Sequence, residues 1–375
     1  MKLNKKSQNT GCLWDAYNEN DINKFRKLIN SGSDLNELGT NGYSLIVHIL
    51  RDYYQVDKNI KFFDELINDD FDFKSNIDQN FLLSIALDNP SRKAIHYIKK
   101  LLKYNININS FGVLMPFTSD AANDIQNIKK YSPPIFQSIA MSCINKRFYV
   151  YDLILEKYPE LEICDERGQT VINCLIYFHN IEYIISCDFY SLISKMIKQG
   201  ADPSQRSYKD GSNSLHQLSG SEKTSSSYTK LFDLFLENGC GINSVDFNGI
   251  TPLIDAAYYE NPLAAKILID KGADINISSS KGRTAIIYAA AKDNINSFDI
   301  LFDNNAVLTD ISIDGDNILH YMLGCKSYNE YFYTKILSKN PELLSIKNKK
   351  GKTPIDMIHK IKDEKIKSTL LSLLD

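Results

Sequence analysis

Much of what usually gives a function away is missing from this sequence. Its six histidines form no His-x-x-x-His pair, and its seven cysteines are odd in number with no Cys-x-x-Cys pair. That excludes a zinc ribbon or an ordered disulfide framework and fits free thiols in a reducing compartment. There is no Gly-rich phosphate loop after a strand and no Gly-x-Ser-x-Gly elbow, so the common signatures of nucleotide binding and acyl transfer are absent. No stretch approaches the ~18 uninterrupted apolar residues of a membrane span. The basic start, MKLNKKSQNTGC, is followed by no apolar run of signal-peptide length. Positive charge is not in excess either. The net charge is −3, whereas a nucleic-acid or acidic-membrane partner calls for a broad basic field.

Two weak constellations remain. Cys174 and Cys187 flank His179, but they fall in different contexts and make a poor metal site. Asp64, Glu65, Asp69, Asp70 and Asp72 cluster without the Asp-x-Asp-x-Asp-Gly loop that calcium requires. The expectation is no metal, no cofactor and no catalytic residue. One local charge bias exists: from Lys335 onward ten lysines stand against five acidic residues. It reads as a solvated face, with a phosphate or lipid patch as the alternative.

What is present is repetition. Apolar residues make up 43% and charged residues 24% of the 375, material for two or three domains of about 150 residues or for one long array. Gly249 to Gly282 spans 33 residues, Gly282 to Gly315 spans 33, and Gly315 to Gly351 spans 36. Upstream, Gly168 to Gly211 is 43 and Gly211 to Gly249 is 38. A period in the thirties signals stacked helical hairpins. Within one period each residue has a physical job. Gly249 can take the positive φ of a turn. Thr251 is a natural N-cap and Pro252 suits the first helical position. Leu253, Ala256 and Ala257 give a short helix with a small-residue face. Asn261-Pro262 breaks it, Ala264 to Ile269 form a second helix, and Gly272 ends that one. A single such unit cannot bury its own apolar face, so it must stack.

This pattern, Gly249-x-Thr251-Pro252-Leu253 with Ala256-Ala257, then Leu268 and Gly272-Ala273-Asp274-Ile275-Asn276, resembles the ankyrin repeat family. Gly282-Arg283-Thr284 with Ala289-Ala290 is a second copy. Gly315 to His320 and Gly211 to His216 keep the family's helix-start histidine. Weaker copies open at Gly42, Asn80, Ser132, Gly168 and Gly351, and Gly32-Ser33-Asp34-Leu35-Asn36 closes a first unit. The resemblance implies an all-α solenoid of about nine to ten ankyrin repeats, helix pairs joined by β-turn fingers, over 1–375. Residues 1–131 are degenerate repeats with an insertion at 110–131. Residues 132–248 are irregular, with insertions near 179–190 and 219–228. Residues 249–351 are regular, and 352–375 cap the array with a polar second helix. The 219–228 insertion, SGSEKTSSSY, reads as a flexible surface loop. Trp14 reads as packing for the first helix pair.

By the same resemblance, His216 and His320 hydrogen-bond between adjacent fingers and are structural, as are Gly249, Thr251, Pro252 and Gly282. Partners dock on a concave surface made by the fingers and the exposed side of the first helices. Mapped onto this chain, that surface offers Phe247, Asn248, Ile250, Tyr258, Tyr259, Lys281, Arg283 and Lys292, with Phe247, Ile250, Tyr258 and Tyr259 as an apolar patch extended by Arg283. Tyr and Arg commonly carry interface energy. The two tyrosines face either the groove or a neighbouring repeat, and the sequence leaves both open. The expected function is non-enzymatic binding of another protein, as a scaffold, an immunity protein that neutralises a toxin, or an effector acting in a foreign cell. The expected site of action is the cytoplasm, its own or a host's, and the chain is expected to be monomeric before it binds. The alternatives are an enzyme or enzyme-regulatory subunit with chemistry hidden in 80–165, and an adaptor for membrane or nucleic acid through the basic C-terminal units.

Overall fold

The computed structural model describes residues 12–35, 44–52, 54–67, 79–89, 91–103, 168–180, 189–221 and 226–373, with isolated positions 153, 161 and 164. These residues are helical, and no strand longer than an isolated bridge occurs among them. The insertion at 110–131, most of 179–190, and the greater part of 80–165 lie outside the described residues. The chain divides into two compact units, Met1–Glu166 with Tyr183–Ser186, and Arg167–Glu182 with Cys187–Asp375.

In the first unit the described helices are α1 (Leu13–Asn18), α2 (Ile22–Asn30), α3 (Leu45–Arg51), α4 (Val56–Leu66), α5 (Gln79–Asp88) and α6 (Ile95–Leu101). They pair as α1/α2, α3/α4 and α5/α6, and the pairs stack through α3 on α5, α2 on α4 and α4 on α6. Phe25, Phe62, Phe63 and Tyr97 are fully buried between the pairs, packed edge to face at ring-centroid distances of 4.8 Å for Phe25–Phe62 and for Phe63–Tyr97. Trp14 lies 5.2 Å from the His48 ring, joining the first pair to the second. The acidic letters of α4 are ion-paired: Glu65 binds Arg26, and Asp64 accepts from Lys100 at 2.7 Å and lies 2.8 Å from His96. Burial opposes the charge on Asp64, but these donors win and hold its carboxyl below the usual range.

The second unit holds α7 (Val171–Asn180), α8 (Phe189–Lys198), α9 (Ser214–Ser219), α10 (Ser226–Glu237), α11 (Pro252–Tyr258), α12 (Pro262–Asp270), α13 (Ala285–Ala291), α14 (Ile295–Asp303), α15 (Ile318–Gly324), α16 (Glu330–Lys339), α17 (Pro354–Ile358) and α18 (Glu364–Ser372). The odd-numbered helices form one column, each packed on the next. Ala256, Ala257, Ala289 and Ala290 are wholly buried there. With no side chain beyond Cβ, they let neighbouring helix axes approach. The even-numbered helices supply the larger core groups, Phe232, Phe235, Leu268, Phe298, Leu301 and Phe332, each contributing roughly 1.5–3 kcal/mol through burial.

Local chemistry sets the helix starts. The Thr251 hydroxyl accepts from the Ile254 N–H at 3.2 Å, and Pro252 follows at the first helical position. Asn261 caps α12 through the Ala264 N–H, and Asn294 caps α14 through the Ser297 N–H. These capping amides also reach backwards. The Asn261 Nδ2 donates to the Ser219 carbonyl at 3.1 Å, the Asn294 Nδ2 to Ala257 O at 3.3 Å, and the Ser327 hydroxyl to Ala290 O at 3.0 Å. The Asn261 and Asn294 amides therefore each seal the end of the preceding hairpin's first helix, and the Ser327 hydroxyl adds a further donor to the Ala290 carbonyl, which also accepts from the Asp293 N–H.

Between hairpins the chain makes tight fingers, closed by Asp246 N–H to Ile250 O at 2.9 Å and by its counterparts from Ser279 to Arg283, Ser312 to Asp316 and Asn348 to Lys352. One backbone bond links each finger to the next: Phe247 N–H to Asp210 O, Ser280 to Asn248, Ile313 to Lys281, and Lys349 to Asp314. Gly249 is needed here. Its φ is +71°, and a Cβ at this position would sit 2.6 Å from the Ser280 backbone nitrogen.

One expectation is corrected. The loop read through residue 228 ends earlier: α10 begins at Ser226, and Tyr228 is buried. Its hydroxyl donates to Leu218 O and accepts from Asn261 Nδ2, both at 2.7 Å, so a polar stretch that looks like a linker is pulled into the hairpin by one aromatic residue.

Candidate functional site

The finger-and-first-helix side of the second unit holds a cleft of about 410 Å³ between α11 and the finger at 279–282. Its position follows from a column of residues. Four places after the helix-start residues Thr251, Thr284 and Asn317 stand Asp255, Tyr288 and Tyr321. Where the next two repeats put a tyrosine ring, this one puts a shorter carboxyl, and both Asp255 and Tyr288 line the cleft.

Five residues expected on the docking surface line it: Asn248, Ile250, Tyr258, Tyr259 and Lys281. The rings of Tyr258 and Tyr259 pack edge to face at 5.0 Å. Tyr258 also packs on Tyr288 of the next repeat at 5.8 Å, with the Lys292 ammonium 4.3 Å from its centroid. Tyr259 lies against Gly220 of the previous repeat, where an added Cβ would come within 3.0 Å of its ring. Yet Tyr258 and Tyr259 remain 38% and 51% exposed. One edge of each ring is therefore used between repeats while the rest faces the cleft.

The other expected residues lie elsewhere. Phe247 is 62% exposed at its finger tip, with its ring against Gly211 and the Arg206 guanidinium 5.7 Å away. Arg283 does not extend the Tyr258–Tyr259 patch. Its guanidinium lies 4.0 Å from the Tyr321 ring centroid and donates to the Tyr321 hydroxyl at 3.0 Å, because a planar cation gains more over an aromatic face than in open solvent. His216 donates from Nε2 to the Ile250 carbonyl of the following finger at 3.0 Å, and His320 does the same to Lys352 at 2.9 Å. The tautomers follow from these carbonyl acceptors.

Sequence reasoning missed Asp255. Its side chain has no hydrogen bond or ion pair with any described residue. Burial, then the charges of Asp246 and Asp210, push its carboxyl well above the usual range. Asp246 differs, since its Oδ1 accepts from Asn248 and Ile250 N–H groups at 2.8 Å within its own finger. The usable signal was the repeat register, which sets Asp255 beside Tyr288 and Tyr321. It also lies three and four residues before Tyr258 and Tyr259, on the same helix face.

Among the described residues no group of three or more His, Cys, Asp or Glu could hold a metal ion. Cys174 is buried in α7, while Cys187 and the side chain of His179 lie outside the described residues. No helix among the described residues is long and apolar enough to cross a membrane. No curated protein matches the sequence. Residues 223–314, which contain the cleft, match the family model described as ankyrin repeats (3 copies). Over that stretch, the sequence is similar to ankyrin repeats.

Proposed function

We propose that this chain is a non-enzymatic binding protein that docks another protein on the finger-and-first-helix face of its second unit, and that ankyrin-type hairpins continue beyond the matched stretch as a solenoid of nine to ten repeats. Ankyrin repeats generally mediate protein–protein interaction. The observation that carries the reading is the cleft at Tyr258 and Tyr259, flanked by exposed finger-tip residues Phe247 and Ile313. Large, half-exposed rings with free polar ends are suited to recognition. A stable contact needs about 800 Å² from each partner, which several adjacent fingers together supply. On this reading the chain is monomeric until it binds and acts in a cytoplasm, its own or a host's, as a scaffold, immunity protein or effector.

The test is a photo-crosslinking residue placed at position 247, 258 or 313, with position 266 on the exposed side of α12 as control, in cells that make the protein. A common adduct from the first three and none from 266 is expected. Adducts from 266 alone would move the docking surface to the second helices.

A further inference from the structure

The polar groups that the cleft leaves unsatisfied favour one kind of guest. The Asp255 carboxyl in its lining has no partner among the described residues, and Asp246 and Asp210 add negative charge nearby. The Tyr258 and Tyr259 rings stand beside it, and aromatic faces attract cations. The cations already present do not fill the place. Lys281 is exposed at the rim and makes no ion pair with Asp255, and Lys292 is engaged with the Tyr258 ring. An acidic guest would meet the carboxyl groups of Asp246 and Asp255, with the charge of Asp210 nearby. A metal ion would find only one carboxylate not already bonded within the fold, since Asp246 and Asp210 serve their own fingers.

We propose that this cleft receives an arginine side chain from an extended segment of the partner protein, its guanidinium paired with Asp255 and stacked on Tyr258 and Tyr259. This rests on the reading of the face as a protein-docking surface. Arginine is favoured over lysine because the planar guanidinium is weakly hydrated, stacks on aromatic rings and meets a carboxylate with two parallel N–H bonds. The partner's arginine does from outside what Arg283 does from within over Tyr321 one repeat further on.

The test uses the full chain labelled with 3-fluorotyrosine, with the Tyr258 and Tyr259 resonances assigned through Tyr258→Phe and Tyr259→Phe. The probe is the blocked tripeptide Ala-Arg-Ala, with its lysine and citrulline counterparts. Citrulline keeps the shape of arginine and removes the charge. Saturable shifts at those two resonances are expected, with arginine at least tenfold tighter than citrulline and lysine in between. Asp255→Asn should bring the arginine probe down to the citrulline level, and Lys266→Ala, on the exposed side of α12, should leave it unchanged. A melting curve of Asp255→Asn checks that the fold persists. Equal response to arginine and citrulline, no saturable shift, or an unchanged Asp255→Asn each overturns the proposal. If the crosslinked adduct from position 258 survives in Asp255→Asn while the arginine probe fails, the docking surface stands and only the arginine assignment falls.

Discussion

Lys292 holds its ammonium 4.3 Å from the centroid of the Tyr258 ring, across a repeat boundary. These two residues occupy neighbouring register positions in successive hairpins, so the place where the copies differ is also where they touch. A double-mutant cycle with Tyr258→Ala and Lys292→Ala should give a coupling of about 0.5–1 kcal/mol in denaturant melts, the value of an exposed cation–π pair. Tyr258→Ala should cost little stability, since the ring is partly exposed, and should weaken the adduct formed from position 247.

Asp255 makes a second prediction about stability and pH. Its carboxyl is raised in the folded protein, so the folded state holds a proton that the unfolded chain releases above about pH 4. Stability from this group is therefore present at low pH and is lost as pH rises toward the folded value. The facing charges are Asp246 and Asp210, with Lys281 at the rim. Asp255→Asn should thus raise the melting midpoint at pH 7.5, and the gain should vanish near pH 4. A lower midpoint at pH 7.5 would show that the carboxylate has a partner in solution.

His216 runs the opposite way. Burial holds its pKa below the usual value despite the bond to Ile250, so the unfolded chain takes up a proton below about pH 6.5 that the folded protein refuses. Stability is complete above that pH and falls as pH drops toward the folded value. His216→Gln should flatten this part of the stability profile between about pH 7 and 5 in thermal melts. At pH 7.5, His216→Ala should cost roughly 1–3 kcal/mol, since it leaves the Ile250 carbonyl without its donor.

Asn261 joins two hairpins with one amide. Its Oδ1 caps α12, and its Nδ2 serves the Ser219 and Ser221 carbonyls and the Tyr228 hydroxyl. Asn261→Ala should cost about 2–3 kcal/mol in chemical denaturation, a lost cap plus stranded acceptors. Asn294→Ala, with a single backward bond at 3.3 Å, should cost less. Equal costs would mean that the cap alone matters.

How much of this was legible in the letters depends on how far apart the partners lie. The glycine period, the Thr251 cap, Pro252 and the buried Ala256-Ala257 pair are local signals, and each matches a local structure. Tyr258 and Tyr259 could be placed on a face, but not assigned to groove or neighbour, because the answer lies with Gly220 and Tyr288. Asp255 goes unnoticed in the sequence, because the groups around it come from other hairpins. Arg283 reads as an extension of the Tyr258–Tyr259 patch until Tyr321, 38 residues away, takes it. Tyr228 looks like loop because its neighbours do, and only Asn261 and Leu218 show otherwise.

The single backbone bond between neighbouring fingers makes this face a ruler with replaceable teeth. Phe247, Ser280, Ile313 and Lys349 all take the same place in that ladder, and the bond uses the main chain alone. The pitch is thus independent of which side chain stands at the tip. One codon can change a tooth without changing the spacing, so a lineage can revise what this surface reads one residue at a time while the scaffold underneath stays folded.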